Sequence, residues 1–228
     1  MKKSSEKFTV QIAGEDHIRF ADELCHLYEE SAKKRGTGIA KRDPKYIKEK
    51  ILQEKAIIAL TAHQQLAGFC YIETWEGKNY VANSGLIVRE EFRHHGLAKR
   101  IKKFVFEHTR KKYPNAKIFG ITTSLAVMKL NSDLGYKPVT FSELTQDDAF
   151  WSGCKSCINY DILTRTGRKN CLCTGMLYDP KEEKKKEFAK IKKVEKKIPQ
   201  KLKIPKSQRI KVVKTAGKSK VNKTKKED

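Results

Sequence analysis

Leu86-Ile87-Val88-Arg89-Glu90-Glu91-Phe92-Arg93-His94-His95-Gly96-Leu97-Ala98 decides the fold. An apolar run opens the stretch and a short polar connection follows. From Leu97 onward, Leu97, Ile101, Phe104, Val105 and His108 recur at helical spacing, to a stop near Tyr113-Pro114. The segment therefore predicts a strand, a five-residue connection and a helix with Gly96 in its first turn. A helix start presents several backbone N–H groups without partners, at the positive end of the helix dipole, and suits a diphosphate. Gly96 admits close approach of the backbone, small Ala98 avoids crowding, and Arg93, Lys99 and Arg100 add positive charge.

Upstream, Lys7 to Ala13 alternates as a strand does, and Ile18, Ala21, Leu24, Cys25, Tyr28 and Ala32 mark one apolar face of a helix. A basic loop from Lys33 to Arg42 leads to a second helix, capped by Asp43 with Pro44 in its first turn and running to about Gln53. Ala56 to Thr61, Ala67 to Thr74 and Tyr80 to Val88 are separated by short polar turns and predict an antiparallel meander. Downstream, Ile118 to Thr122 predicts a strand and Leu125 to Leu134 a helix stopped by Gly135. Tyr136 to Phe141, Cys157 to Leu163 and Cys171 to Tyr178 are expected to be extended. The order predicts one α+β domain over residues 1–180, a mixed and mainly antiparallel sheet flanked by helices, with its core at about 6–142 and a cysteine-containing extension at about 143–180.

Charge is unevenly distributed. The net charge is +23, and residues 181–228 hold 20 Lys and Arg against 6 acids. That composition predicts a separate Lys-rich tail, partly helical or disordered, which solubilises the chain or binds polyanions weakly. Phe188 is its one aromatic residue, so it lacks the stacking platform of a single-strand binder. Six cysteines are too few for a disulfide-stapled scaffold, no signal-peptide-like apolar stretch follows Met1, and no run of about 18 apolar residues exists to span a membrane. A reducing cytoplasm is the expected setting.

The stretch Arg93-His94-His95-Gly96-Leu97-Ala98 resembles the pyrophosphate loop of the GNAT (GCN5-related N-acetyltransferase) superfamily. That pattern is Arg or Gln, two variable residues, Gly, one variable residue, then Gly or Ala, and here it leaves a strand and opens a helix. Ser124 to Tyr136, ending Leu134-Gly135-Tyr136, resembles the family's last helix. The resemblance covers about residues 6–142, and within the family it points to a bacterial branch associated with arginine biosynthesis, the N-acylglutamate synthase-like enzymes.

The resemblance implies a splay between two strands, with the pantetheine arm of an acyl-CoA bonded to the backbone of Leu86, Ile87 and Val88. The diphosphate would lie on Arg93, His94, His95, Gly96, Leu97, Ala98 and Lys99. A freed N–H at Val88 would face the thioester oxygen and stabilise the oxyanion formed when an amine attacks. Where the family often has a Tyr general acid, four residues before the terminal Gly, this chain has Asn131; it would hold pantetheine, since an amide delivers no proton as a phenol does. Glu73 is the candidate base.

In the family the first interhelical loop lines the acceptor pocket, and here Arg35, Lys41 and Arg42 make it basic. Arg grips a carboxylate with two prongs, which favours an anionic acceptor such as glutamate; Asn83 and Ser84 would add polar contacts. The expected activity is transfer of an acetyl or succinyl group to the amine of a small anionic acceptor. Competing expectations are a protein or peptide N-acetyltransferase, and a nucleic-acid-binding protein on a degenerate acyltransferase fold. The assembly is left between monomer and homodimer.

Cys154, Cys157, Cys171 and Cys173 have spacing that suggests zinc. A simple hairpin between 158–163 and 172–178 would nevertheless hold the two pairs about 20 Å apart, so free thiols are favoured over a metal.

Overall fold

The computed structural model describes residues 6–36, 42–185, 188 and 189, with the side chain of Arg35 outside the description. Lys41 and the basic loop 37–41 lie outside the described residues, as does nearly all of the Lys-rich tail. The chain divides into a unit ending at Lys184 and a second from Lys185.

Within the first unit, β1 (Phe8–Ile12) is followed by α1 (Ala21–Arg35) and α2 (Pro44–Leu52), then by β2 (Ala56–Thr61), β3 (Leu66–Trp75) and β4 (Tyr80–Val88). Next come α3 (Leu97–Lys112), β5 (Lys117–Thr122), α4 (Leu125–Asp133) and β6 (Lys137–Val139). Two short helices, α5 (Asp148–Ser152) and α6 (Tyr160–Arg165), precede β7 (Thr174–Tyr178). The sheet has seven strands in the order β1-β2-β3-β4-β5-β7-β6. β4 and β5 are parallel, and the other paired strands are antiparallel.

Local rules account for most of these elements. The Asp43 carboxylate accepts from the Lys45 amide at 2.8 Å, with Pro44 at the first helical position, so α2 starts where a capping residue and a pre-set φ coincide. Ser124 caps α4 in the same way through Val127 N. β2 is buried along its whole length, because both faces of the sheet are covered there. Ile58 and Leu60 pack with Leu24, Tyr28, Ile47 and Ile51 of α1 and α2, while Ile57 and Ala59 pack with Leu97, Ile101 and Val105 of α3. Each fully buried Leu or Ile contributes about 1.5–3 kcal/mol, which sets the helices firmly against the strands.

One sequence expectation fails here. Cys157 to Leu163 is not extended: Cys157 ends a 3-10 turn (Gly153–Ser156), and residues from Tyr160 form α6. Alternating polarity cannot be distinguished from a single helical turn over so few residues. The strand after Cys171 begins only at Thr174. Among the described residues, no helix is long and apolar enough to cross a membrane.

Candidate active site

β4 and β5 pair only at Tyr80↔Lys117, Val81↔Ile118 and Ala82↔Phe119. Beyond Ala82, β4 continues to Val88 with β3 as its paired neighbour, leaving its other edge open over six residues, about 20 Å. The partner on β3 is not regular. Tyr71 faces Ser84 and Phe69 faces Ile87, so Gly85 and Leu86 together oppose Cys70 in a bulge. Gly85 adopts φ 64° there, and its carbonyl accepts from the Tyr28 hydroxyl of α1. Cys70 Sγ donates to the Ser84 carbonyl at 3.2 Å, and Lys102 Nζ donates to the Asn83 carbonyl at 3.4 Å. Side chains from three elements thus hold the bulge, and Leu86, Ile87 and Val88 follow it directly along the open edge.

From Val88 the chain makes a 3-10 turn (Glu90–Phe92) and reaches α3 through His94 and Gly96, both left-handed at φ 67° and 71°. The first intrahelical bond of α3 runs from Arg100 N to Gly96 O at 3.2 Å, so the amides of Leu97, Ala98 and Lys99 precede it. Residues 93–96 are exposed, and a Cβ on Gly96 would meet nothing within 4 Å. An open helix start therefore lies beside an open strand edge. The basic side chains around it are partly engaged: Arg93 Nε donates to Val88 O at 3.2 Å, Arg100 to Phe8 O at 2.9 Å, and Lys99 pairs with Asp133 at 3.7 Å. His95 packs its ring 6.1 Å from that of Phe8, and His94 stays exposed. Arg93 thereby ties the connection to the strand end as well as supplying charge.

Asn131 lies on α4 at 2% exposure, and its Oδ1 has no hydrogen-bond partner. A buried acceptor left unpaired costs about 1–3 kcal/mol, so its presence marks a place where a donor is missing.

The opposite side of the strands carries a second cluster. Arg42 holds its guanidinium 4.6 Å from the Tyr28 ring centre and 5.9 Å from that of Tyr71, and its Nε donates to the Tyr71 hydroxyl at 3.1 Å. Tyr46 of α2 donates its hydroxyl to Glu73 and packs edge-on to Tyr71 at 5.8 Å. Burial pushes Tyr71 up to about 12 and raises Tyr28 and Tyr46 as well, so these phenols keep their protons at neutral pH. For Arg42, burial opposes the charge, but the surrounding hydroxyls and Glu73 outweigh it and its pKa rises.

Several predicted site residues separate in space. Val88 faces Gly68 on β3, and Glu73 lies five residues further along, about 17 Å, so Glu73 does not reach a thioester held at Val88. Asn83 points to the α3 side: its Nδ2 donates to Thr109 Oγ1 at 2.8 Å, and its Oδ1 accepts from the Tyr136 hydroxyl at 3.1 Å. It is 6% exposed and belongs to the interior, not to the acceptor face. Ser84, next in the strand, takes the other face with Tyr71, its cross-strand partner. Lys41 and the Arg35 side chain lie outside the described residues, while Lys34 pairs with Glu90. In the sequence Tyr28 reads as part of an apolar helix face and Tyr46 and Tyr71 lie within segments read only as helix and strand, so nothing local marks the three as neighbours of Arg42.

No family model matches this sequence, and no curated protein matches it. Solved structures do resemble it. One is the N-acetylglutamate synthase of Neisseria gonorrhoeae in complex with coenzyme A and N-acetylglutamate, at 13% identity and a TM-score of 0.54, over 76% of this chain and 35% of that one. This chain thus spans about a third of that enzyme's length. A second is a Mycobacterium tuberculosis protein in complex with CoA, at 13% identity and a TM-score of 0.54, over 75% of this chain and 98% of that one. A third is a GNAT-family acetyltransferase of Staphylococcus aureus, at 15% identity and a TM-score of 0.50, over 61% of this chain and 90% of that one. At such identities the likeness is one of fold, and the fold is that of the GNAT acetyltransferases.

Proposed function

We propose that this chain, built on the GNAT fold, is an acyl-CoA-dependent N-acyltransferase whose acceptor is a small anionic amine such as glutamate. The observation that carries the proposal is the open edge of β4 running from the Gly85 bulge into the exposed start of α3. CoA in two of the similar solved structures, and N-acetylglutamate in one, support it.

In this reading the CoA diphosphate binds the amides of Leu97, Ala98 and Lys99, with Gly96 allowing close approach and His94 and Lys99 adding donors. The pantetheine arm lies along Leu86, Ile87 and Val88. Asn131 Oδ1 holds an amide of the arm once α4 moves to uncover it, since that atom is closed to solvent without the cofactor. The amine attacks the thioester carbonyl, and the backbone N–H of Leu86, at the bulge end of the arm and farthest from the diphosphate, stabilises the oxyanion, an interaction of about 3 kcal/mol by comparison with known oxyanion donors. The carbon–sulfur bond then breaks, the thiolate takes a proton from water, and N-acyl acceptor and CoA leave.

Arg42 is the carboxylate anchor of the acceptor, its guanidinium 4.6 Å from the Tyr28 ring centre and its Nε bonded to the Tyr71 hydroxyl, and therefore pre-oriented. Glu73 accepts from the Tyr46 hydroxyl and so orients that ring. Glu73 lies three residues along β3 from Cys70, which Leu86 opposes, about 10 Å, so it receives the proton of the amine through water and not by direct contact. Calorimetric titration with CoA, followed by thiol release with acetyl-CoA or succinyl-CoA against single amino acids and peptides, tests the reading. Absence of both CoA binding and thiol release from a folded protein would overturn it. Release with peptides alone would transfer the acceptor assignment to proteins.

A further inference from the structure

The four cysteines between β6 and β7 take no part in the proposed reaction, yet they converge. Cys154 lies in the 3-10 turn and Cys157 closes it, with Cys157 N donating to Cys154 O at 2.9 Å. Residues three apart eclipse in such a turn, so both side chains leave the same side. After α6 the chain reverses through left-handed Gly167 and Arg168, held by Thr166 Oγ1 donating to Asn170 O at 2.7 Å. The reversal brings Cys171 back beside the first pair: its Sγ lies 3.9 Å from the carbonyl of Asn159, two residues after Cys157. Because residues 160–165 are helical, the 20 Å separation expected for a hairpin does not arise.

All four cysteines line one cleft, floored by Phe141 and Trp151, with about 20 Å³ of free volume, room for a single water-sized occupant. None forms a disulfide. Among the described residues, no Lys, Arg or His lines that cleft. The surrounding segment also needs a fastening. α5 has five residues and α6 six, too short to be stable through their own hydrogen bonds.

We propose that Cys154, Cys157, Cys171 and Cys173 form a four-thiolate site for a structural zinc ion, which fastens the segment between β6 and β7 to the sheet. As placed, the thiols do not yet form a group that holds a metal; binding turns the side chains inward and releases protons. One zinc ion and four thiols give one tetrathiolate complex and four protons, with no change of oxidation state. The fastened segment packs on Trp75, Tyr80 and Ile121. Trp75 lies two residues beyond Glu73, on the same face of β3, so the metal braces the neighbourhood of the Arg42 and Glu73 cluster and leaves the CoA loop untouched.

The full chain, purified under reducing conditions without chelator, should contain one zinc per molecule by mass spectrometry. After chelator treatment, titration with cobalt alone should give intense thiolate-to-metal absorption, and protons should be released as metal is added. Cys154→Ser and Cys173→Ser should lose the bound equivalent, while Cys25→Ser, on α1, should keep it. A folded wild-type chain that takes up no cobalt with its thiols titratable overturns the proposal, and so does equal loss in Cys25→Ser. Should the two Ser variants fail to fold, the wild-type stoichiometry and spectrum decide. CoA binding by the same preparation is read separately, so either proposal can fail alone.

Discussion

Gly85→Ala probes the bulge that opens the strand edge. Gly85 sits at φ 64°, where an L side chain costs about 1–2 kcal/mol. A Cβ there would lie 2.3 Å from Tyr71 Cε1 and 2.7 Å from Tyr28 Oη, so two buried rings must move. Overpacking of that kind costs about 1–3 kcal/mol, and losing the Tyr28 hydrogen bond adds about 1 kcal/mol. The expected destabilisation is therefore about 3–6 kcal/mol. Gly96→Ala is the matched control: its φ is 71°, but nothing lies within 4 Å of the new Cβ, so only backbone strain of about 1–2 kcal/mol applies. Urea unfolding of the two variants and the parent, with the midpoint converted through a common slope, measures both. CoA titration should invert the ranking of Gly96→Ala: a small stability loss, but an affinity loss of about tenfold or more if a phosphate contact of about 1.5–3 kcal/mol is blocked. Equal destabilisation by both variants, or a Gly85→Ala loss below about 1 kcal/mol, would refute the packing argument.

Three further expectations follow from named contacts. Arg42→Lys loses the Nε bond to Tyr71 and the planar stack on Tyr28; the acceptor KM should rise about tenfold with the CoA KM unchanged, in steady-state kinetics. Glu73→Gln should lower kcat/KM by less than the roughly 10²–10⁴-fold span of a direct general base, and a loss within that span would return direct proton removal to Glu73. Lys102 is buried, no carboxylate pairs with it among the described residues, and burial lowers its pKa from 10.5. Below its folded pKa the full cost of burying the charge is present, and that cost fades as pH rises toward 10.5, where the unfolded chain also sheds the proton. Lys102→Met should therefore gain stability at neutral pH, and its advantage should narrow by pH 10.5 in denaturant melts. A pH-independent difference would contradict the assignment.

The strand, connection and helix from Leu86 to Ala98 were legible in the sequence because each signal is local: apolar runs, a spacing, and a glycine at a helix start. The cap at Asp43 and the meander from β2 to β4 were legible for the same reason. The bulge at Gly85 was not. It shifts the register between Tyr71 and Phe69, and whether Asn83 or Ser84 faces the acceptor depends on strand pairing that one segment cannot reveal.

Charge and residue type singled out Arg42, but not the company it keeps. Tyr28, Tyr46 and Tyr71 lie on three different elements, and only packing of α1 and α2 on β3 brings them around one guanidinium. The cysteines show the converse. Their count and spacing were visible, yet the distance between the pairs hung on whether residues 160–165 were strand or helix. The amino-acid sequence by itself thus determined the order of elements and the phosphate-suited turn, because those depend on neighbours along the chain. Tertiary structure alone decided which side chains meet across the sheet, because helices and strands remote in sequence meet only when their apolar faces are buried together.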